Sequence, residues 1–321
     1  VGGLPEFNSF VTRDTPDWQV LTIAGERGTN GPGERHFPTP SLKSAKHSAK
    51  EDVMRDIRPA PSMVVGIDGS LAATHAALWA VDEAVSRDIP LRLVYVINRA
   101  DGGGVDDHSR LASGRAALRA TQRAVEKTGQ PVKVETDIVW GTPLTKLAEE
   151  SRSAVMVCIG SMGMKHACHG EGSVASALPG IARCPVAVIC GSVHRPATFR
   201  VGAVAVEAND DRALQQAFEE ARLRGAPLQA IASWEAEAPD DIIDGNRLAE
   251  AQLNRRIARW TRQYPDVSVE AIAVRGSVCR YVAENAGSIQ LLVSGVRSRG
   301  CDAGKPAAVN CSVLTVNGNH L

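Results

Sequence analysis

The chain carries no surplus charge, few aromatic residues and no long apolar run. Its 36 Lys and Arg balance 36 Asp and Glu, with no block of Lys or Arg anywhere. A nucleic-acid surface needs a basic footprint and a polybasic membrane protein needs a cationic cluster, so neither nucleic acid nor membrane is expected as a partner. Aromatic residues make up 4%, which gives no stacking platform for single-stranded nucleic acid. No stretch approaches the roughly 18 consecutive apolar residues of a spanning helix. The first residues lack the basic-then-apolar order of an export signal, so the expected location is cytoplasmic. Seven cysteines, an odd number, are spread along 321 residues with no Cys-x-x-Cys. That favours reduced, mostly buried thiols over a disulfide framework. A Gly-x-Ser-x-Gly elbow and a Walker-type lysine loop are also missing, and no catalytic set is assigned.

What is present is an ordinary globular mix, 44% hydrophobic and 22% charged, long enough for about two domains. Residues 1–60 stand apart. They are rich in Gly, Pro, Ser and charge, and no helical or strand period lasts. Such a segment buries too little apolar surface to offset its ordering entropy, so a weakly ordered extension is expected, with one short helix near Lys46–Ile57. The alternative is a natural start at Met54 or Met63.

From residue 61 the pattern alternates. Ser62–Asp68 is a short apolar run ending in an Asp-Gly turn, as a buried parallel strand requires. Ser70 then precedes an Ala-rich helical period over Leu71–Arg87. Further strands are expected at Leu91–Ile97, Val132–Val139, Ala154–Ile159 and Pro185–Ile189. Helices fall between them at Arg110–Lys127, Leu144–Glu150 and, as a single turn, Ser173–Leu178. This order predicts a doubly wound, five-stranded parallel α/β domain whose ligand site lies beyond the carboxyl ends of the strands.

The remainder echoes this domain. Ala84–Leu91 returns at Ala221–Leu228, Gly141–Ser151 at Gly276–Ala286, and Val157–Gly160 at Leu292–Gly295. Pro90 to Pro227 spans 137 residues, and both Gly141 to Gly276 and Gly160 to Gly295 span 135, but Cys184 to Cys311 spans 127. A tandem duplication is therefore expected, with a second copy shortened between its last two strands. The expected boundaries are an extension over 1–60, a complete copy over 61–193 and a degenerate copy over 198–321.

The shortening falls where the first copy has a glycine loop. Gly160-Ser161-Met162-Gly163 follows the fourth strand and leads to Gly172-Ser173 at a helix start. Glycines let backbone approach a ligand closely, and free N–H groups at a helix N-terminus attract anions. Asp68 ends the first strand on the same edge, where a carboxylate accepts from a ribose hydroxyl or an adenine amine. The bland alternative is an ordinary Asp-Gly turn with ordinary loop glycines.

These motifs, Val65-Gly66-Ile67-Asp68-Gly69-Ser70, Gly160-x-x-Gly163 with Gly172-Ser173-Val174, and Cys184-Pro185-Val186, resemble the universal stress protein family in its tandem, Rossmann-like form. The resemblance implies ATP, with Mg²⁺, bound by a Gly-x2-Gly-x9-Gly-Ser/Thr loop. It implies that Gly66, Ile67 and Asp68 form the adenine and ribose end, with Asp68 making the contact, and that the backbone of Val96 meets adenine. Gly160, Ser161 and Gly163 line the ribose and α-phosphate, and Gly172, Ser173 and Val174 hold the outer phosphates. The spacer Met164–Glu171 has eight residues rather than nine and carries Lys165, His166, Cys168 and His169. Pro179-Gly180 is expected to interrupt the following helix. In the second copy Glu207 is expected where Asp68 would be, and Gly295–Gly300 lacks a following Gly-Ser, so poor or no ATP binding is expected there.

Two functions follow from the resemblance. One is an ATP-binding stress-response regulator without efficient catalysis. The other is an interaction scaffold of the same fold that binds no nucleotide. A homodimer and an unidentified protein partner are compatible with both. His166, Cys168 and His169 lie close enough in sequence to raise a metal site, but a solvated loop is the simpler reading. Asp106-Asp107-His108 is read as a polar loop or a lid, Cys158 and Cys184 as inert core thiols, and Trp234 and Trp260 as packing in the second copy.

Overall fold

A computed structural model describes residues 60–98, 107–161, 174–190, 202–235, 242–295 and 311–317. The extension over 1–60 lies almost entirely outside them, and so do Gly163, Gly172, Ser173, His166, Cys168 and His169.

The first half runs β1 (Ser62–Ile67), α1 (Leu71–Ser86), β2 (Leu91–Ile97), α2 (Asp107–Glu126), β3 (Val134–Trp140), α3 (Pro143–Glu150), β4 (Ala154–Ser161), α4 (Val174–Ile181) and β5 (Val186–Cys190). The second half runs β6 (Ala203–Glu207), α5 (Asp211–Arg224), β7 (Leu228–Trp234), α6 (Ile242–Gln263), β8 (Val269–Arg275), α7 (Val278–Glu284), β9 (Ile289–Gly295) and β10 (Ser312–Val316). The ten strands form one sheet in the order β3-β2-β1-β4-β5-β10-β9-β6-β7-β8. Each half is parallel within itself, and β5 pairs β10 antiparallel at the centre. The expected α/β class holds.

Local chemistry explains the element ends. The Ser70 hydroxyl caps α1 by accepting from the Ala73 N–H at 3.1 Å, and Asp210 caps α5 by accepting from the Arg212 N–H at 3.1 Å. Gly225 ends α5 in the left-handed region at φ 57°. Asp107 and His108, read from sequence as loop or lid, instead open α2. Helix α4 runs through Pro179 to Ile181 rather than stopping before it. Proline costs that helix one internal donor, but Leu178 and Pro179 are buried, and the Ala182 N–H still bonds the Leu178 carbonyl at 2.9 Å.

On one face of the sheet a continuous apolar cluster joins both halves, from Met63, Trp79 and Leu93 to Phe218, Leu228 and Leu314. The other face carries two separate clusters. One surrounds Val64, Leu147 and Leu178, and the other surrounds Ala205, Val278 and Cys311. Trp260 packs near Phe218, with ring centroids 6.3 Å apart, as expected of a core residue of the second half. Cys158, Cys184, Cys190 and Cys311 are free thiols, while Cys279 is disulfide-bonded, so the expectation of reduced cysteines fails at that position.

Candidate functional site

In the first half the strand order reverses between β1 and β4: β2 and β3 lie to one side and β5 to the other. Open parallel sheets split at such a point and leave a crevice beyond the strand ends. The ladders show its shape. Pairing of β1 with β4 ends at Val65↔Cys158, while β4 continues beside β5 to Ser161↔Cys190. Pairing of β1 with β2 ends at Ile67↔Tyr95, while β2 continues beside β3 to Ile97↔Trp140. Both neighbours therefore overshoot β1, and Val96, Gly160 and Ser161 stand on the walls of the gap above it.

Asp68 sits at the mouth of this gap and is exposed. Its Oδ1 accepts from the Ser70 N–H at 2.9 Å, an Asx turn that needs Gly69 at φ +85°. The turn holds the carboxylate in place directly before α1. Val174 opens α4 and packs against the cluster around Leu147 and Leu178. The Sγ of Cys190 is hydrogen-bonded to Ser161. Asp68, Val96, Gly160, Ser161 and Val174 thus gather at one edge. Gly66 and Ile67 lie a step below it. Ile67 is 4% exposed in the continuous core. A Cβ on Gly66 would come within 3.1 Å of both Ile159 and Leu147 side chains.

Gly160 has a structural duty that sequence reasoning missed. A Cβ there would lie 2.6 Å from the Ala73 nitrogen and closer still to the Ala72 carbonyl group. The first turn of α1 rests directly on β4 at this glycine. Gly295 does the same for the second half, where a Cβ would come 3.1 Å from Asp210 Oδ2 at the start of α5. The repetition of the glycine in a copy that lacks the loop was the available signal.

The second half differs at the matching edge. Met63 and Val204 both donate to the proline carbonyl before the next strand, Pro90 and Pro227, at 2.9 and 3.0 Å. Both half-sheets also shift register at the same place, Ser62/Met63 and Ala203/Val204. Counting from there, Glu207 matches Gly66 and Asn209 matches Asp68. The expected match of Glu207 with Asp68 is corrected: α1 starts eight residues after Met63, whereas α5 starts seven residues after Val204. Two steps along a strand restore a side chain to its face, so Glu207 carries a side chain on the face where Gly66 carries none. It is buried and accepts from Asn209 Nδ2 at 2.5 Å, and burial pushes its carboxyl up while that bond lowers it.

Burial also pushes up the thiols of Cys158 and, to about 12, Cys184, consistent with inert core residues. Among the described residues no group of three or more His, Cys, Asp and Glu is placed to hold a metal ion, and no helix is long and apolar enough to cross a membrane.

Residues 61–189 match the model of the universal stress protein family. A universal stress protein of Mycobacterium tuberculosis is 53% identical over 271 residues, covering 84% of this chain and all of that relative. Another from the same organism is 40% identical over 242 residues, covering 73% of this chain and 85% of the relative. Among solved structures, a universal stress protein from Archaeoglobus fulgidus superposes with a TM-score of 0.60 at 17% identity, over 80% of this chain and 96% of that one.

Proposed function

Because the chain belongs to the universal stress protein family, we propose that its first half binds ATP, with Mg²⁺, in the crevice above β1, and that the bound nucleotide switches a stress-response interaction rather than being turned over efficiently. The division that goes with this is a nucleotide-binding copy over 61–193 and a degenerate copy over 198–321, preceded by an extension. The observation that carries the reading is the overshoot of β2 and β4 past β1, with the fixed Asp68 carboxylate at the mouth. Asp68 accepts from ribose or adenine, and the Val96 backbone meets the base. Gly160 and Ser161 line the ribose side, and Gly163, Gly172, Ser173 and Val174 surround the phosphates. Mg²⁺ suits oxygen ligands from phosphate and water, with few protein ligands. The second half is assigned no nucleotide, because Glu207 puts a buried carboxylate at the position of Gly66 and Gly295–Gly300 has no following Gly-Ser.

Binding acts by favouring one arrangement of the loop over another, which requires tighter binding to that arrangement. Titration calorimetry with Mg-ATP on the full chain tests the reading. Binding is expected in the wild type, weakened by about tenfold or more, ~1.4 kcal/mol, in Gly172→Val. No heat at millimolar ATP would sink it. The second reading, a scaffold that binds no nucleotide, is favoured by Gly160, whose lack of a side chain is already required by α1. That outcome would leave wild type and Gly172→Val alike.

A further inference from the structure

We propose that Cys190 and Cys311 form an oxidative modification site, a cross-strand thiol pair that a hydroperoxide converts to a disulfide joining β5 to β10. The ladder between these strands runs Val188↔Val313, Ala187↔Leu314, Val186↔Thr315. Continued by two residues, this antiparallel register sets Cys190 directly opposite Cys311. The strands are still in contact there, since the Cys190 N–H donates to Ser312 Oγ at 3.2 Å. Directly opposed residues of an antiparallel pair share a face, with Cα atoms about 4.5–5.5 Å apart. A disulfide needs about 4.4–6.8 Å. Both sulfurs are free thiols; burial pushes that of Cys311 up to about 12, and the nearby Cys190 sulfur adds to the rise.

The two positions differ in access. Cys190 is partly exposed, and Cys311 is 3% exposed in the cluster under α7. The peroxide therefore meets Cys190 first. The Cys190 sulfur attacks the O–O bond, gains an O–H group as sulfenic acid and releases the other oxygen as water or alcohol. The Cys311 sulfur then displaces that hydroxyl, which leaves as water with the Cys311 proton. One S–S bond forms, two thiols lose two electrons, and the peroxide takes them up.

The other end of the same joint supplies an internal control. There the register sets Cys184 opposite Asn317, whose Nδ2 donates to the carbonyls of Cys184 and Ala182 at 3.0 and 2.7 Å. Cysteine faces cysteine at one end and asparagine at the other, so oxidation is expected at one end only.

The test treats the full-length protein with hydrogen peroxide, blocks remaining thiols under denaturing conditions and maps peptides without reduction. The expected new product, beside the disulfide of Cys279, is a cross-linked pair containing Cys190 and Cys311, lighter by two hydrogens than its parts and lost on reduction, with Cys184 still alkylated. Cys311→Ser abolishes the cross-link; if that protein misfolds, Cys190→Ser at the partly exposed position gives the same readout. Oxidation is also expected to raise the urea midpoint of the wild type and to leave that of Cys190→Ser unchanged. Full alkylation of both cysteines after peroxide, or a link from either one to Cys279, Cys184 or another cysteine, overturns the proposal.

Discussion

Arg224 bonds two carboxylates on different helices while only 2% exposed. Its Nη2 lies 2.8 Å from Glu83 on α1 and its Nε lies 3.1 Å from Glu220 on α5. Its guanidinium also stacks 4.1 Å above the Trp79 ring, Asp82 stands 3.8 Å from its Nη1, and Arg87 pairs with Glu83. Glu83 with Arg87 and Glu220 with Arg224 are the same helical pair repeated 137 residues apart, the spacing of Pro90 and Pro227. Surface ion pairs look the same in a sequence, and only burial sets this one apart. Burial pushes the Glu220 carboxyl up to about 8, the Glu83 charge adds to the rise, and Arg224 opposes it. The folded chain thus keeps a proton that the unfolded chain loses above its ordinary 4.5. Folding takes up that proton, so this group's contribution is complete below about pH 4.5 and declines as pH rises toward about 8. Glu220→Gln, which keeps the shape and removes the titration, is expected to flatten the pH dependence of the urea midpoint across that window. An unchanged slope would show that Glu220 is ionised in the folded chain.

The docking of α1 on β4 sets the position of the candidate site. Its N-terminal turn follows the Asp68 turn and lies against Gly160, so one glycine fixes helix and crevice together. Gly160→Ala is expected to force that turn away and destabilise the chain by about 1–3 kcal/mol in urea unfolding. Gly295→Ala should cost less, since its Cβ meets a side-chain oxygen at 3.1 Å rather than backbone at 2.6 Å or closer. Equal losses at both glycines would remove this account of the α1 contact. The Ser70 cap, the Asp-Gly turn and the start of α1 were legible because they depend on neighbours in sequence. The backbone of Ala72 against Gly160 was not, because that contact joins residues on separate elements. The same reason hid the shift of Glu207 to the Gly66 position, since one residue fewer between the matched strand register and the helix start changes no hydrophobic pattern.

At the scale of the whole molecule, the antiparallel β5–β10 pair makes two half-sheets into one, and a single apolar cluster spans both beneath α1 and α5. The family resemblance and the repeat foresaw two similar halves, yet each half alone would leave β5 or β10 as an open edge. It would also leave Glu83 or Glu220 on an uncovered helix face. The chain cut to residues 60–190 is therefore expected to self-associate through β5 and α1, as read by sedimentation velocity. A folded monomer at tens of micromolar would show that the halves are independent.

The sequence by itself determined the α/β order of strands and helices and the likeness of the two halves. Those follow from local periodicity, caps and turns, and from residues that recur at fixed spacing. Only the tertiary structure decided that Gly160 is a seat for α1, that Arg224 serves two buried glutamates, and that Cys190 faces Cys311 while Cys184 faces Asn317. Each of these depends on the register and burial of segments far apart in the chain, which exist only once the edges have paired and water has been expelled between them.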